Sequence, residues 1–156
     1  PSSGFSSSSC SAEAPRRPNP APFAEAMQGR VLFMDDEEPI RLMAAVLLGR
    51  LGLDPTIAGD GAEAVQHFRK AHAEGRPFDV VVMDLTVPGG MGGLEALHEM
   101  RAIDPGVRAV VSSGYSSDPV LADFRAHGFR GMVAKPYRIT DLAAALRAVM
   151  DEDKAG

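Results

Sequence analysis

From Arg30 onward, short apolar runs alternate with amphipathic segments of about a dozen residues. This alternation predicts successive βα units, because strands buried in a parallel sheet read as apolar runs and crossover helices read with a 3.6-residue period. Right-handed crossovers in this order build an α/β, doubly wound, three-layer sandwich. The predicted strands are Arg30 to Met34, Asp54 to Ala58, Asp79 to Met83, Ala109 to Ser112 and Gly131 to Ala134. The predicted helices are about Glu38 to Leu51, Asp60 to Glu74, Gly93 to Ile103, Asp118 to His127 and Ile139 to Met150.

Polar side chains close four of the predicted strands. Asp35 and Asp36 follow the first strand, and Asp84 follows the third. Ser113 and Lys135 follow the fourth and the fifth. Open parallel sheets bind ligands outside the carboxyl ends of their strands, where the winding of the sheet reverses. We therefore expect carboxylates, a hydroxyl and an ammonium to meet in one crevice.

The residue types in this crevice favour phosphoryl transfer. Three carboxylates in a partly dry site repel one another and take up protons unless a hard cation lies among them. Magnesium suits such a site, because it prefers a few carboxylates, one or two further oxygens and several retained waters. Asp84 is then the natural nucleophile, since the metal and Lys135 together offset its charge and that of an incoming phosphoryl group.

Four segments around these residues resemble the response-regulator receiver domains of two-component signalling. They are Met34-Asp35-Asp36-Glu37-Glu38, Met83-Asp84-Leu85-Thr86-Val87-Pro88-Gly89, Ser112-Ser113-Gly114-Tyr115-Ser116 and Val133-Ala134-Lys135-Pro136-Tyr137. They occur in family order and at close to family spacing. The resemblance covers roughly Arg30 to Asp151 and implies a flavodoxin-like, five-stranded parallel sheet in the order 2-1-3-4-5. The last two segments are most similar to receivers attached to hybrid sensor histidine kinases.

The resemblance also implies a metal-ligand set. Asp36 and Asp84 would ligate Mg²⁺ directly, and Asp35 would hold it through water. The backbone carbonyl of Thr86 would be a further ligand.

The same resemblance implies how a phosphoryl group is held and where it comes from. Ser113 would donate its hydroxyl to the phosphoryl group, and Lys135 would pair with a phosphoryl oxygen. The bond between Lys135 and Pro136 would be cis, as only ~5% of X-Pro bonds in folded proteins are. The donor would be a phosphohistidine of a sensor histidine kinase or a histidine phosphotransfer domain. Such a receiver is a bacterial signalling domain that catalyses its own phosphorylation and dephosphorylation, and it can pair as a homodimer through its fourth helix, fifth strand and fifth helix.

Two features depart from the usual receiver pattern. After the nucleophile the chain reads Pro88-Gly89-Gly90-Met91-Gly92-Gly93, one residue longer than the usual Pro-Gly-Met-Asp-Gly and without its aspartate. The added glycine predicts a more mobile loop. Met132 stands three residues before Lys135, where many receivers carry a tyrosine or phenylalanine that swings inward on activation. We therefore expect a packing-driven change at Met132, because its flexible thioether can repack.

Composition narrows the class of protein. The 156 residues are 45% hydrophobic with a net charge of −5, which argues against a nucleic-acid-binding surface. Cys10 is the single cysteine, so the chain has no internal disulfide, and a reducing cytoplasm is the expected location. No apolar run approaches the ~20 residues of a membrane span, and the N-terminus lacks a signal-peptide pattern.

Three regions divide the chain. Residues 1–29 contain a serine run and several prolines with few large apolar side chains, which predicts a disordered linker or an expression remnant. Residues 30–151 are the predicted receiver domain, and residues 152–156 are a C-terminal tail.

Three other functions are weighed against the receiver. A haloacid-dehalogenase-type aspartyl-phosphate hydrolase needs a second aspartate two positions after the nucleophile, where this chain has Thr86. A flavodoxin-type nucleotide or flavin module needs hydroxyl or glycine residues after the first strand, whereas Asp35 and Asp36 would repel a phosphate. A degenerate receiver that acts only by binding proteins is disfavoured, because all of the expected site residues are present.

Overall fold

The computed structural model describes residues 28–85, 87–114, 119–135 and 137–155, with the side chains of 152–155 left aside. Strands and helices alternate along these ranges. The strands are β1 (Arg30–Met34), β2 (Asp54–Ala58), β3 (Val80–Asp84), β4 (Ala109–Ser113) and β5 (Gly131–Ala134). The helices are α1 (Glu38–Arg50), α2 (Gly61–Ala73), α3 (Gly93–Ile103), α4 (Pro119–Ala122) and α5 (Ile139–Ala155).

All five strands are parallel and lie in the order β2-β1-β3-β4-β5. The predicted order 2-1-3-4-5 is therefore confirmed. The winding reverses between β1 and β3, which is where a doubly wound sheet opens its ligand crevice. In this register Met34 pairs with both Ala58 and Met83, and Asp84 pairs with Ser112, so the carboxyl ends of the strands lie along one edge.

A hydrophobic core lies on each face of the sheet. Alternation along β1 sends Leu32 into the core shared with α2, α3 and α4, and sends Phe33 into the core shared with α1 and α5. The central strand β3 is buried along its whole length, as its run of valines predicts. Burying each such side chain contributes about 1.5–3 kcal/mol. The two cores fix the strand positions on which the edge residues depend.

Most helix ends follow from local chemistry. Pro39 lies in the first turn of α1, where its missing N–H costs nothing. Asp60 caps α2 by accepting a hydrogen bond of 2.8 Å from the amide of Glu63, whose carboxylate accepts from the amide of Gly59. The helix α5 runs to Ala155, five residues beyond its predicted end at Met150, because Glu, Lys and Ala continue a helix without an apolar stripe.

The predicted fourth helix, Asp118 to His127, is wrong in its length. The structure places α4 at Pro119–Ala122, and tight turns follow, in which the amide of Asp123 donates to the carbonyl of Val120 and that of Gly128 to Arg125. Most of the side chains from 123 to 128 are exposed. Phe124 is the one large apolar side chain between 123 and 128, and it packs partly against the core, so no continuous apolar face stabilises a longer α-helix. Turns with hydrogen bonds from residue i+3 to residue i replace it.

Some predictions fall on residues outside the described ranges. These are the linker at 1–27, the carbonyl ligand Thr86 and the cis bond at Pro136. They stay predictions. Across the described residues, no helix has both the length and the apolar character that a membrane crossing demands.

Candidate functional site

The carboxyl edge of the sheet gathers the polar residues that close the strands. Asp84 and Ser113 are the last residues of β3 and β4, while Asp35 directly follows β1 and Lys135 directly follows β5. Backbone hydrogen bonds continue the sheet past these ends. The amide of Asp35 donates to the carbonyl of Ala58 over 3.2 Å, and that of Lys135 to the carbonyl of Ser113 over 2.8 Å. The sheet therefore fixes the backbone beneath these four residues.

Asp35, Asp36 and Asp84 form an acidic cluster. One carboxylate oxygen from each lies within 4.8 Å of the other two. Asp35 is fully buried and Asp84 is 6% exposed, whereas Asp36 is exposed. Within the described ranges, this is the one group of His, Cys, Asp and Glu side chains close enough to share a metal ion. Its oxygen-only donor set fits a hard dication such as Mg²⁺ better than zinc, which prefers nitrogen and sulfur ligands.

The ammonium of Lys135 lies against the acidic cluster. Its Nζ is 2.7 Å from Asp35 Oδ2 and 3.3 Å from Asp84 Oδ2. Burial lowers the pKa of Lys135, but the hydrogen bond to Asp35 and the charges of Asp84 and Asp35 outweigh burial and raise the pKa above its ordinary value. Three ionised carboxylates against one ammonium leave two negative charges, which is the charge that one dication balances.

Asp84 holds its proton more tightly than an ordinary aspartate. Burial is the main cause that raises its pKa from 3.8 to about 6; the charge of Lys135 opposes this effect and that of Asp35 adds to it. At neutral pH the carboxylate is still mainly ionised and nucleophilic. A cation within the acidic cluster would favour the ionised form further.

The start of α1 holds Asp35 in place. Its Oδ1 accepts a hydrogen bond of 2.9 Å from the amide of Glu37, and its backbone carbonyl accepts one of 3.0 Å from Arg41 Nη1. Sequence reasoning missed Arg41. An arginine in the first turn of a helix is common, and its spacing from Asp35 does not reveal which way its side chain turns.

The glycine-rich loop after β3 packs closely against the site. A Cβ on Gly93 would lie 2.8 Å from the backbone oxygen of Asp84, and one on Gly92 would lie 2.8 Å from the backbone oxygen of Leu85. The amide of Gly61, at the start of α2, donates to the carbonyl of Met91 over 3.0 Å. These glycines therefore serve close backbone approach, a role that the sequence analysis did not assign to them. The mobility expected of this loop stays a prediction.

Two buried hydroxyl groups near the site were also missed. Ser112 precedes Ser113 at the end of β4, and Tyr137 lies two residues after Lys135. Period-two alternation in the strand could have shown that Ser112 and Ser113 face opposite sides of the sheet. Met132 is half-buried against the core on the side of α4, in the place where the sequence analysis expected repacking.

The fold and the acidic cluster define a doubly wound α/β domain with a phosphoacceptor type of crevice, and comparison with known proteins identifies its family. The model of the response regulator receiver domain matches residues 31–147. The chain therefore belongs to the response regulator receiver domain family, whose members are signalling domains of two-component systems.

Individual relatives agree with this family. The chain is 36% identical over 116 residues to a response regulator receiver protein from Anaeromyxobacter, covering 72% of this chain and 46% of the relative. It is 30% identical to the chemotaxis protein CheY of Thermotoga maritima, covering 79% of this chain and 98% of that protein. The chain thus spans about half of some curated relatives and nearly all of others.

A solved structure shares the fold. The receiver domain of a sensor histidine kinase from Pseudomonas aeruginosa, solved with a magnesium ion coordinated in its active-site cleft, superimposes with a TM-score of 0.69. It is 20% identical, and the match covers 80% of this chain and 99% of that one.

Proposed function

We propose that Asp84 accepts a phosphoryl group from a phosphohistidine of a partner protein in a reaction that requires Mg²⁺. The observation that carries this proposal is a buried carboxylate within reach of two others and of the Lys135 ammonium at 3.3 Å. Membership of the receiver family supports it, since this family works with histidine kinases and phosphotransfer proteins. Attachment to a hybrid kinase stays a prediction.

The acidic cluster would hold the metal. In this proposal Asp36 and Asp84 ligate Mg²⁺ directly, Asp35 holds it through water, and the carbonyl of Thr86 completes the protein ligands. The exposure of Asp36 fits a metal that keeps several of its waters. Bound Mg²⁺ would polarise the phosphoryl oxygens and offset their charge. The Pseudomonas receiver domain with magnesium in its cleft supports the assignment through its shared fold.

The transfer forms a P–O bond to an Asp84 carboxylate oxygen and breaks the P–N bond of the phosphohistidine. The leaving imidazole nitrogen keeps the bonding electron pair and takes up a proton. Lys135 turns from the carboxylates to a phosphoryl oxygen, and Ser113 donates its hydroxyl to another. The protein contributes position and charge neutralisation, which are the main sources of catalysis in phosphoryl transfer. The receiver thus catalyses its own phosphorylation, and water can later hydrolyse the aspartyl phosphate, which returns the Asp84 carboxylate and releases inorganic phosphate.

An exposed apolar pair on α1, the helix that begins three residues after Asp35, supports a protein as the phosphoryl donor. Leu42 is 63% exposed and Val46 is 57% exposed, and they are the exposed large hydrophobic residues of the described ranges. They lie one turn apart on α1, the helix whose Arg41 binds the backbone of Asp35. A partner that covers this pair would bring its phosphohistidine close to Asp84.

Phosphorylation would change a second surface. A phosphoryl group adds about −1.5 to −2 charge units at Asp84 and should draw Ser113 toward it. The output surface of this proposal consists of α4, β5 and α5, and it binds a downstream partner or a second copy of the chain. Met132 on β5 would repack rather than bury a phenol.

Acetyl phosphate tests the proposal without a partner protein. Incubated with Mg²⁺, the chain should gain the mass of one phosphoryl group, and Asp84→Asn should gain none. Asp54→Asn serves as a matched control, because Asp54 is an exposed carboxylate at the start of β2. An adduct that persists in Asp84→Asn would overturn the proposal.

A further inference from the structure

Two buried hydroxyls lie beside the acidic cluster and have no part in the proposed reaction. Ser112 is 1% exposed and Tyr137 is 4% exposed. Neither Ser112 Oγ nor Tyr137 Oη makes a well-aligned hydrogen bond with another described residue. Each buried hydroxyl without a partner costs about 1–3 kcal/mol, so two in one place call for a physical reason.

Both hydroxyls lie on the Asp35 side of the sheet. Asp35 continues the face of Phe33 along β1, and the rings of Phe33 and Tyr137 meet edge-on with centroids 6.4 Å apart. Ser112 pairs with Asp84 in the register of β3 and β4. The phenol of Tyr137 is therefore next to two carboxylates of the acidic cluster and to the hydroxyl of Ser112.

Electrostatics keep this phenol protonated. Burial raises the pKa of Tyr137, the charges of Asp35 and Asp84 raise it further, and contact with Ser112 opposes them only in part. As a neutral phenol, Tyr137 offers one O–H donor. A phenol O–H directed at a carboxylate makes one of the stronger hydrogen bonds in proteins.

The surroundings of Asp35 show when such a donor is needed. Its Oδ1 accepts from the amide of Glu37 at 2.9 Å, while its Oδ2 meets Lys135 Nζ at 2.7 Å. If Lys135 turns to a phosphoryl group on Asp84, the fully buried Oδ2 loses that partner. An unpaired buried carboxylate oxygen would oppose phosphorylation.

We propose that Tyr137 is a positioning residue of the acidic site. Its hydroxyl and that of Ser112 form a buried donor pair, which donates to the Asp35 carboxylate in place of Lys135 when Lys135 turns to the phosphoryl group. The inference rests on the proposed function and deepens it. The donor pair would act in the phosphorylated state, where the buried Oδ2 of Asp35 no longer has Lys135 as its partner. In the unliganded state the two hydroxyls are poorly paired.

The inference predicts opposite effects of one substitution in two states. Tyr137→Phe keeps the ring and removes only the hydroxyl, so the unliganded protein should be as stable as wild type or more stable. Binding of Mg²⁺ with beryllofluoride, which mimics the phosphoryl group, should weaken about tenfold, as is typical when a group that orients a metal ligand is removed. Ser112→Ala should weaken it in the same direction. Thr56→Val, which deletes a half-buried hydroxyl on β2, is the control and should leave binding unchanged.

Calorimetric titration with Mg²⁺ and beryllofluoride, together with thermal unfolding of each variant, tests the inference. The chain has two tyrosines and no tryptophan, so a tyrosine ultraviolet difference spectrum should accompany ligand binding in wild type and fade in Tyr137→Phe. Failure of wild type to bind would remove the proposed function and this inference with it. Wild-type binding with equal affinity in Tyr137→Phe and Ser112→Ala would overturn the inference alone. A loss of unliganded stability that matches the loss of affinity would also overturn it, because that would show a structural role.

Discussion

Replacing Asp84 with asparagine should stabilise the unliganded protein above pH 6, and the advantage should disappear in acid. The reason lies in the groups that face Asp84: two carboxylates, Asp35 and Asp36, one ammonium, Lys135, and the phenol of Tyr137. Burial is the largest cause that raises the pKa of Asp84 from 3.8 to about 6; the charge of Lys135 opposes this effect, and the charge of Asp35 adds to it. Asparagine keeps the shape of the side chain and removes the charge whose burial is unfavourable.

The sign and the magnitude follow from proton linkage. Below pH 3.8 the Asp84 carboxyl is protonated in both the folded and the unfolded chain. Between 3.8 and about 6 the folded chain keeps a proton that the unfolded chain has released, so the folding stability falls as the pH rises. At 1.36 kcal/mol per pH unit the full difference is about 3 kcal/mol, and solvent at the mouth of the crevice screens it to about 1–2 kcal/mol.

Urea denaturation of wild type and Asp84→Asn in EDTA at pH 8, 6 and 4 measures this difference. We expect the variant to be about 1–2 kcal/mol more stable at pH 8 and nearly equal to wild type at pH 4. Asp54→Asn, at an exposed carboxylate 3.9 Å from Arg30, should have nearly the same free energy of unfolding as wild type at all three pH values. A variant that is less stable than wild type at pH 8, or one with the same advantage at pH 4 and pH 8, would show that burial of the Asp84 charge does not destabilise the folded chain.

Three further expectations concern the metal, the loop and the donor. Titration with Mg²⁺ should shift NMR amide signals beside Asp84, and Asp36→Ala should abolish these shifts; shifts that survive would place the metal elsewhere. Gly93→Ala should destabilise the fold by about 1–3 kcal/mol in urea denaturation, because its Cβ would lie 2.8 Å from a backbone oxygen. An unchanged midpoint would contradict that contact. Replacing Leu42 and Val46 with serine should slow phosphotransfer from a phosphorylated histidine domain about tenfold, equivalent to ~1.4 kcal/mol. The rate of phosphorylation by acetyl phosphate should stay unchanged. Equal slowing of both donors would contradict a docking role.

The sheet and the polar residues at its edge were predictable because short apolar runs mark the strands, and parallel strands bring the residues that follow them to one edge. Apolar runs followed by acidic, hydroxyl or basic residues predicted both the strands and the place where Asp84, Ser113 and Lys135 meet. The strand boundaries were off by one residue at β3 and β4, so Asp84 and Ser113 lie within the ladder rather than after it. That difference strengthens the positional argument, because backbone hydrogen bonds then orient both residues.

The parts that sequence reasoning missed depend on side-chain direction and on burial. The length of α4 depends on whether residues 123–128 have a continuous apolar face to bury, and among them only Phe124 packs against a core. Arg41 and Tyr137 contact the site through their side chains, and the spacing of residues along the sequence does not predict the direction of either side chain. No sequence pattern indicated that Gly93 lies against the backbone of Asp84, where a Cβ would be 2.8 Å from the carbonyl oxygen.

Locating the phosphoryl group on the chain shows directly which carboxylate is the nucleophile. Acyl phosphates are reduced by borohydride, so treatment with acetyl phosphate and Mg²⁺ followed by reduction and peptide mass spectrometry marks the residue that was phosphorylated. We expect modification at Asp84 that is lost when EDTA removes the metal. Modification at Asp35 or Asp36 with Asp84 intact, or at Asp84 with equal yield in EDTA, would contradict a metal-dependent nucleophile at Asp84.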